Sequence, residues 1–236
     1  EQKILYAKNN GLGQPKDVIP VHLSGQVCEM EKIHTMSKKY GFAIIEDASH
    51  AIGSKYKNTP TGSCQYSDIT IFSFHPVKII TTAEGGIATT NNTVLANKMA
   101  QLRSHGITRD AEQMTEESHG EWYYQQVQLG FNYRMTEMQA ALGTSQISRL
   151  KKYTETRNKM ADYYDEKLKH LPLILPQQSE DSYSARHLYI IRLDKAATTM
   201  TRKSVFTKLR KKGIGVNLHY IPIHLQPYYQ NLGFVR

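Results

Sequence analysis

One lysine, Lys78, stands between the apolar run "IFSF" and the paired glycines of "AEGG". A lysine at the end of a buried strand costs desolvation energy unless it has a charged partner or a chemical job. Upstream, "FAIIED" ends on Glu46 and Asp47, and "DITIFSFH" delivers Ser73 and His75. Ligands of a parallel sheet bind in the crevice outside the C-terminal ends of its strands, so acid, hydroxyl, imidazole and amine would meet there. The chemistry that holds a lysine and an aspartate apart across a flat ligand is pyridoxal phosphate chemistry. The lysine forms a Schiff base with the aldehyde, the aspartate pairs with the protonated pyridine nitrogen, and the charged ring becomes an electron sink. Singly, each residue has a plainer reading: Asp47 could cap a helix after "DASHA", Ser73 and His75 could be structural, and Lys78 could snorkel to the surface. Only the combination points to catalysis.

Such a crevice needs strands alternating with helices, and the chain carries that pattern. "VIPVHL" reads as a buried strand, and Met30, Ile33, Met36 and Tyr40 fall near one helical face of "CEMEKIHTMSKKYG", with Gly41 as its stop. "FAIIED", "DITIFSF" and "GGIATT" are further strands, and "TVLANKMAQLRSHG" is a helix ending at Gly106. This alternation predicts an α/β domain with a mostly parallel sheet. Residues 107–131 read as a long loop, of a length that is usually functional or interfacial. From about 135 to 170 a charged amphipathic stretch, bent at Gly143, reads as a connecting helix. Strand "HLYIIRL", helix "TRKSVFTKLRKKG" and the apolar "IGVNLHYIPIHL" then begin a smaller α+β domain. Residues 1–145 are expected to be part of a large cofactor-binding domain, and 146–236 the connecting helix and part of a small C-terminal domain.

A chain of 236 residues can bury roughly 70–75% of its unfolded surface. No apolar run approaches the roughly 18 residues of a membrane span, so no membrane is expected as a partner. Two cysteines, Cys28 and Cys64, are too few for a disulfide framework, and no export signal opens the chain. The expectation is a cytoplasmic protein with buried, inert thiols and no metal site. The sequence begins at Glu1 without a methionine and reads as a portion of a longer protein. The net charge of +9 favours anionic partners. The basic residues are scattered, however, apart from "KLRKKG" and the pair Lys151 and Lys152, which read as solvated helix faces. No nucleic-acid recognition motif accompanies the charge. A basic nucleic-acid-binding or regulatory protein on the same fold remains the alternative from another class.

The segments "VIPVHLSG", "IIEDASHAIGS", "FSFHPVK", "TAEGGIATT", "LRSHGI" and "LGFNYRMTEMQAALG" follow one another in the order and spacing of the DegT-like sugar aminotransferases, which the chain resembles along nearly its whole length. The resemblance implies the aspartate aminotransferase-like fold, fold-type I of the pyridoxal phosphate enzymes. It further implies that Lys78 forms the internal aldimine and moves the proton, that Asp47 pairs with the ring nitrogen, and that His50 sits against the ring or its 3-hydroxyl. Ser73 would donate to the phosphate, and Asn132 in "FNYR" would reach the phosphate site of a neighbouring subunit, so that a homodimer completes the site. "HPVK", "HGITRD", "WYYQQVQLGFNYRM" and "HYIPIHLQPYY" look most like the members that act at C4 of a UDP-4-keto-6-deoxy-N-acetylhexosamine on the route to pseudaminic acid, with an amino acid, L-glutamate, as donor. His219, Tyr220 and His224 resemble residues near the UDP-sugar. A related dehydratase replaces the lysine by histidine, and Lys78 argues against it.

Overall fold

The computed structural model describes residues 1–234. In chain order its elements are α1 (Gln2–Asn9), β1 (Asp17–Val18), α2 (Met30–Tyr40), β2 (Ala43–Asp47), β3 (Lys55–Tyr56), β4 (Thr59–Pro60), β5 (Ile69–Ser73), β6 (Gly86–Thr89), α3 (Thr93–Leu102), β7 (Ile107–Thr108) and β8 (Gln125–Gln126). There follow α4 (Glu137–Ile147), α5 (Leu150–Leu168), β9 (Leu173–Ile174), β10 (Ser182–Tyr183), β11 (Arg192–Leu193), α6 (Arg202–Lys211) and α7 (Pro227–Asn231). They group into two compact units, one of Glu1–Tyr163 with Gln177–Tyr189 and one of Tyr164–Pro176 with Ile190–Arg236.

The first unit is built on a four-stranded sheet of order β1-β2-β5-β6. β1, β2 and β5 run parallel, while β6 returns antiparallel to β5, with Ser73 opposite Gly86. Asp47 pairs with Ile71 and Glu46 with Thr70. Paired residues share a face and successive residues alternate, so Ile44, Glu46, Thr70 and Phe72 lie on one face, all buried. Asp47, Ile71 and Ser73 lie on the other, more open face.

Local signals explain the bounds of three of the helices. Gly41, at φ 74°, ends α2, donating its N–H to the Ser37 carbonyl at 2.7 Å, and Lys38 and Lys39 complement the helix dipole in the last turn. The Asn92 side chain caps α3 by accepting from the Val94 and Leu95 amides, and Thr136 forms a capping box with Gln139 at the start of α4. Two clusters fill the core of this unit, one around Phe72, Phe74, Ile79 and Ile80 and one around Met30, Phe42 and Ile44.

Four expectations are corrected. "VIPVHL" is no buried strand: Pro20 has no N–H to give a ladder, Val21 makes only an isolated bridge to Asp47, and Ile19 and Val21 are exposed. The helix expected to run to Gly106 stops at Leu102, where the Leu102 and Arg103 carbonyls accept from the Phe131 and Tyr133 amides and the His105 N–H donates to the Phe131 carbonyl. The connecting helix breaks at Ser148 and Arg149 rather than at Gly143, whose missing side chain serves packing: a Cβ there would lie 2.9 Å from the Thr82 methyl. "HLYIIRL" contributes only the two-residue strand β11, which pairs with β9 within the second unit.

Candidate active site

Parallel pairing of β2 and β5 brings Asp47 and Ser73 to the same sheet edge, and Lys78 follows five residues after Ser73. The loop that carries the lysine is tied down on both sides. The Phe74 N–H donates to the Gly85 carbonyl at 2.9 Å, while the Phe74 carbonyl accepts from the Thr82 N–H at 3.0 Å and the Thr81 hydroxyl at 2.8 Å. Gln146 on α4 accepts the Thr81 N–H at 3.0 Å. Ile79 and Ile80, directly after the lysine, are buried in the core. Gly85 turns the chain back into β6 at φ 153°, where a Cβ would come within 2.3 Å of the Thr82 hydroxyl, so this position requires glycine.

Lys78 is half-buried; its backbone N–H donates to the His75 carbonyl at 2.9 Å, while its amine makes no hydrogen bond or ion pair among the described residues. Burial lowers the pKa of its amine, and the negative charge of Asp47 partly opposes that. Asp47 is therefore the acid that Lys78 senses. One Asp47 oxygen accepts the Ser49 N–H at 3.0 Å, and its other oxygen has no partner among the described residues. No helix follows Asp47, so the capping reading falls away. The Ser73 hydroxyl accepts the His75 N–H at 3.4 Å and keeps its own proton for another acceptor. A half-buried amine, an aspartate oxygen and a hydroxyl donor on one open sheet edge are the groups needed to hold an aldehyde, a pyridine nitrogen and a phosphate. The residues present fit pyridoxal phosphate.

The remaining sequence-based candidates fall in different places. His50 lies in the turn after β2, where its Nδ1 accepts the Ser24 N–H at 3.3 Å. His75 sits exposed on the turn after β5, 3.9 Å from Glu84. Asn132 is exposed on a segment that runs antiparallel beside Ser104. His219, Tyr220 and His224 belong to the second unit and are exposed, with the rings of His219 and Tyr220 4.3 Å apart.

Glu46 does not join Asp47 in the crevice. Its carboxylate points to the buried face, where the buried His22 donates from Nε2 at 2.7 Å and Thr70 donates at 3.1 Å, with a further hydrogen bond from the Ser67 hydroxyl. The Cys28 N–H donates to His22 Nδ1 at 3.3 Å, which places the imidazole proton on Nε2. Burial pushes the Glu46 carboxyl up, and the hydrogen bonds from His22 and Ser67 more than reverse this, holding it below the usual carboxylate range. Beside them the segment Pro20–His22 grips Asp47, whose N–H donates to the Pro20 carbonyl at 2.9 Å and whose carbonyl accepts the His22 N–H at 3.0 Å. Strand alternation around Ile44 was the signal for Glu46; nothing in the spacing pointed to His22. Of the two thiols, Cys64 is buried as expected, but Cys28 is only partly so.

The sequence matches the DegT/DnrJ/EryC1/StrS aminotransferase family over residues 9–235. The chain belongs to this family. It is 37% identical over 213 residues to the UDP-4-amino-4,6-dideoxy-N-acetyl-beta-L-altrosamine transaminase of Campylobacter jejuni, covering 90% of this chain and 54% of that protein. It is 37% identical to the spore coat polysaccharide biosynthesis protein SpsC of Bacillus subtilis, covering 91% of this chain and 55% of that one. Among solved structures, Helicobacter pylori PseC, an aminotransferase involved in the biosynthesis of pseudoaminic acid, superposes with a TM-score of 0.84 at 32% identity, over 96% of this chain and 58% of its own. The pyridoxamine phosphate (PMP) form of the sugar aminotransferase Spr1654 of Streptococcus pneumoniae gives 0.81 at 34% identity, over 94% and 60%. The chain thus spans about half the length of the curated relatives it matches. These likenesses establish the fold-type I architecture and a family of pyridoxal phosphate enzymes. Among the described residues no helix is long and apolar enough to cross a membrane.

Proposed function

We propose that the protein carrying this chain is a pyridoxal phosphate-dependent sugar aminotransferase. It moves an amino group from L-glutamate to C4 of a UDP-4-keto-6-deoxy-N-acetylhexosamine, in the biosynthesis of pseudaminic acid. The observation that carries this reading is that parallel pairing of β2 and β5 brings Asp47 and Ser73 to one sheet edge, with half-buried Lys78 five residues beyond Ser73. The named relatives in Campylobacter and Helicobacter support the choice of sugar.

When bound, pyridoxal phosphate supplies an electron sink through which an amino group passes between two carbons. Asp47 holds a proton on the ring nitrogen through the oxygen that Ser49 leaves unoccupied. Ser73 would donate a hydrogen bond from its hydroxyl to the phosphate, and His50 would sit against the ring or its 3-hydroxyl, donating from Nε2. Lys78, partly withdrawn from water, loses its proton more readily than an ordinary lysine. Its Nζ is therefore both a nucleophile toward a carbonyl and a carrier of a proton to and from the substrate carbon. Asn132 serves the phosphate site of a second subunit in a homodimer, and its exposed position leaves it available for that role. His219, Tyr220 and His224 contact the UDP-sugar. The protein acts in the cytoplasm, where nucleotide sugars are made.

Incubating the full-length protein with the 4-keto sugar nucleotide and L-glutamate should give equal amounts of the 4-amino sugar nucleotide and 2-oxoglutarate, with ping-pong kinetics. Glutamate turnover without the sugar product would contradict the substrate. No turnover with any amino donor would contradict the reaction.

A further inference from the structure

The chain leaves the first unit within α5 and comes back to it for a single stretch, Gln177–Tyr189. That return is stitched to the turn carrying His50. β10 pairs with β3, placing Ser182 opposite Tyr56. The Ser54 hydroxyl donates to the Gly25 carbonyl at 2.7 Å and accepts the Ala185 N–H at 2.9 Å, with Ala185 fully buried. Gly25, at φ 101°, packs so closely that a Cβ would lie 2.9 Å from the Arg186 nitrogen and 3.1 Å from the His50 carbonyl oxygen. Two residues other than glycine take left-handed backbone here, Ser24 at φ 60° and Arg186 at φ 50°. Such conformations persist where surrounding structure enforces them, and they cluster at functional sites.

The side chain presented by this segment is His187. It is buried, and its ring centroid lies 4.5 Å from that of His50 at an interplanar angle of 43°. Arg157 on α5 fixes its backbone by donating to the Arg186 and His187 carbonyls, both at 3.3 Å. His50 is thus held on two sides. The Ser24 N–H occupies Nδ1, which assigns the ring proton to Nε2, and the tilted ring of His187 packs against the imidazole.

We propose that His187 is a positioning residue for the candidate site: packed at a tilt against the ring of His50, it sets the direction in which the His50 Nε2–H donates. This rests on the reading that His50 contacts the cofactor. His187 itself touches neither substrate nor cofactor and acts through the ring it supports. No sequence motif marks it, because it lies 137 positions after His50 and only the return of the chain brings the two together.

A double-mutant cycle on the full-length protein tests this, reading the cofactor dissociation constant, the absorbance maximum of the bound cofactor and the melting temperature without cofactor. His50→Ala should weaken cofactor binding and shift the absorbance. His187→Ala should do the same to a smaller extent, roughly three- to tenfold in affinity, the range of a lost aromatic pair. His187→Phe, which keeps a flat ring, should restore affinity to within about twofold. In the His50→Ala background, His187→Ala should cause no further loss of affinity. If His187→Ala does not fold, His187→Leu, of similar bulk without the ring, replaces it. A His187 variant that lowers only the melting temperature, or that weakens binding equally with and without His50, overturns the proposal. If His50→Ala itself leaves affinity and absorbance unchanged, the placement of His50 at the cofactor is wrong, and the role of His187 falls with it.

Discussion

Glu46 and Asp47 are neighbouring carboxylates on one strand, and the alternation of that strand gives them opposite surroundings. Glu46 is buried and accepts from His22, Ser67 and Thr70. Asp47, on the open face, has one oxygen engaged by a backbone amide, and its charge acts on the amine of Lys78. A carboxylate whose lone pairs are filled by its own protein stabilises the fold. One left partly unfilled, beside a half-buried amine, is available to a ligand. On the proposed reading the two faces of the sheet separate holding from reacting, and substitutions on them should separate stability from activity.

The largest effect is expected at the open face. Lys78→Ala should cut transamination by on the order of 10³-fold or more, as removal of a nucleophile does, while the melting temperature without cofactor stays the same or rises, since a partly desolvated amine is removed. A large loss of stability would erase the distinction between the faces. Asp47→Asn keeps the shape and removes the charge; turnover should fall by about 10²- to 10³-fold, the scale of a lost electrostatic contact in the transition state, with little change in melting.

Asn132→Ala should weaken cofactor binding by roughly ten- to a hundredfold, the range of one hydrogen bond to a charged group. Its location in a partner's site has its own signature: mixing the Lys78→Ala and Asn132→Ala proteins should recover activity, because a hybrid dimer has one site with both residues intact. No recovery after subunit exchange would place Asn132 outside the partner's site.

On the buried face, Glu46→Gln should change turnover little and cost stability, by roughly 1–3 kcal/mol. The sign of its pH dependence follows from its lowered pKa. As pH falls, the unfolded chain takes up the Glu46 proton first, so the stabilisation is complete above about 4.5 and is lost as pH drops through the lower folded value. Denaturant titrations between pH 3 and 6 should show a shallower decline for Glu46→Gln than for the parent, and equal slopes would deny Glu46 this role.

Much of the placement of the candidate edge was legible in the sequence, because it depends on short-range patterns. Two five-residue strands rich in isoleucine end on Asp47 and Ser73, and the glycines after Lys78 announce the return into β6. The supports were not legible, because each joins distant segments: His22 to Glu46 across 24 positions, and Gln146 to the loop of Lys78 across 65 from Thr81. The errors were also local in origin. An apolar run containing Pro20 looked like a strand because periodicity ignores the missing N–H. Gly143 looked like a helix break because propensity ignores the Thr82 methyl packed against it. In the second unit the strands are only two residues long, too short for a pattern to fix.

The most direct measurement is to load the full-length protein with pyridoxal phosphate, reduce it with borohydride, digest it and locate the modified residue by mass spectrometry. The label is expected on Lys78, in the peptide that contains "FSFHPVK", and it should be absent from the Lys78→Ala protein. A stoichiometric label on any other lysine, or cofactor bound without a label, would contradict the assignment of the site.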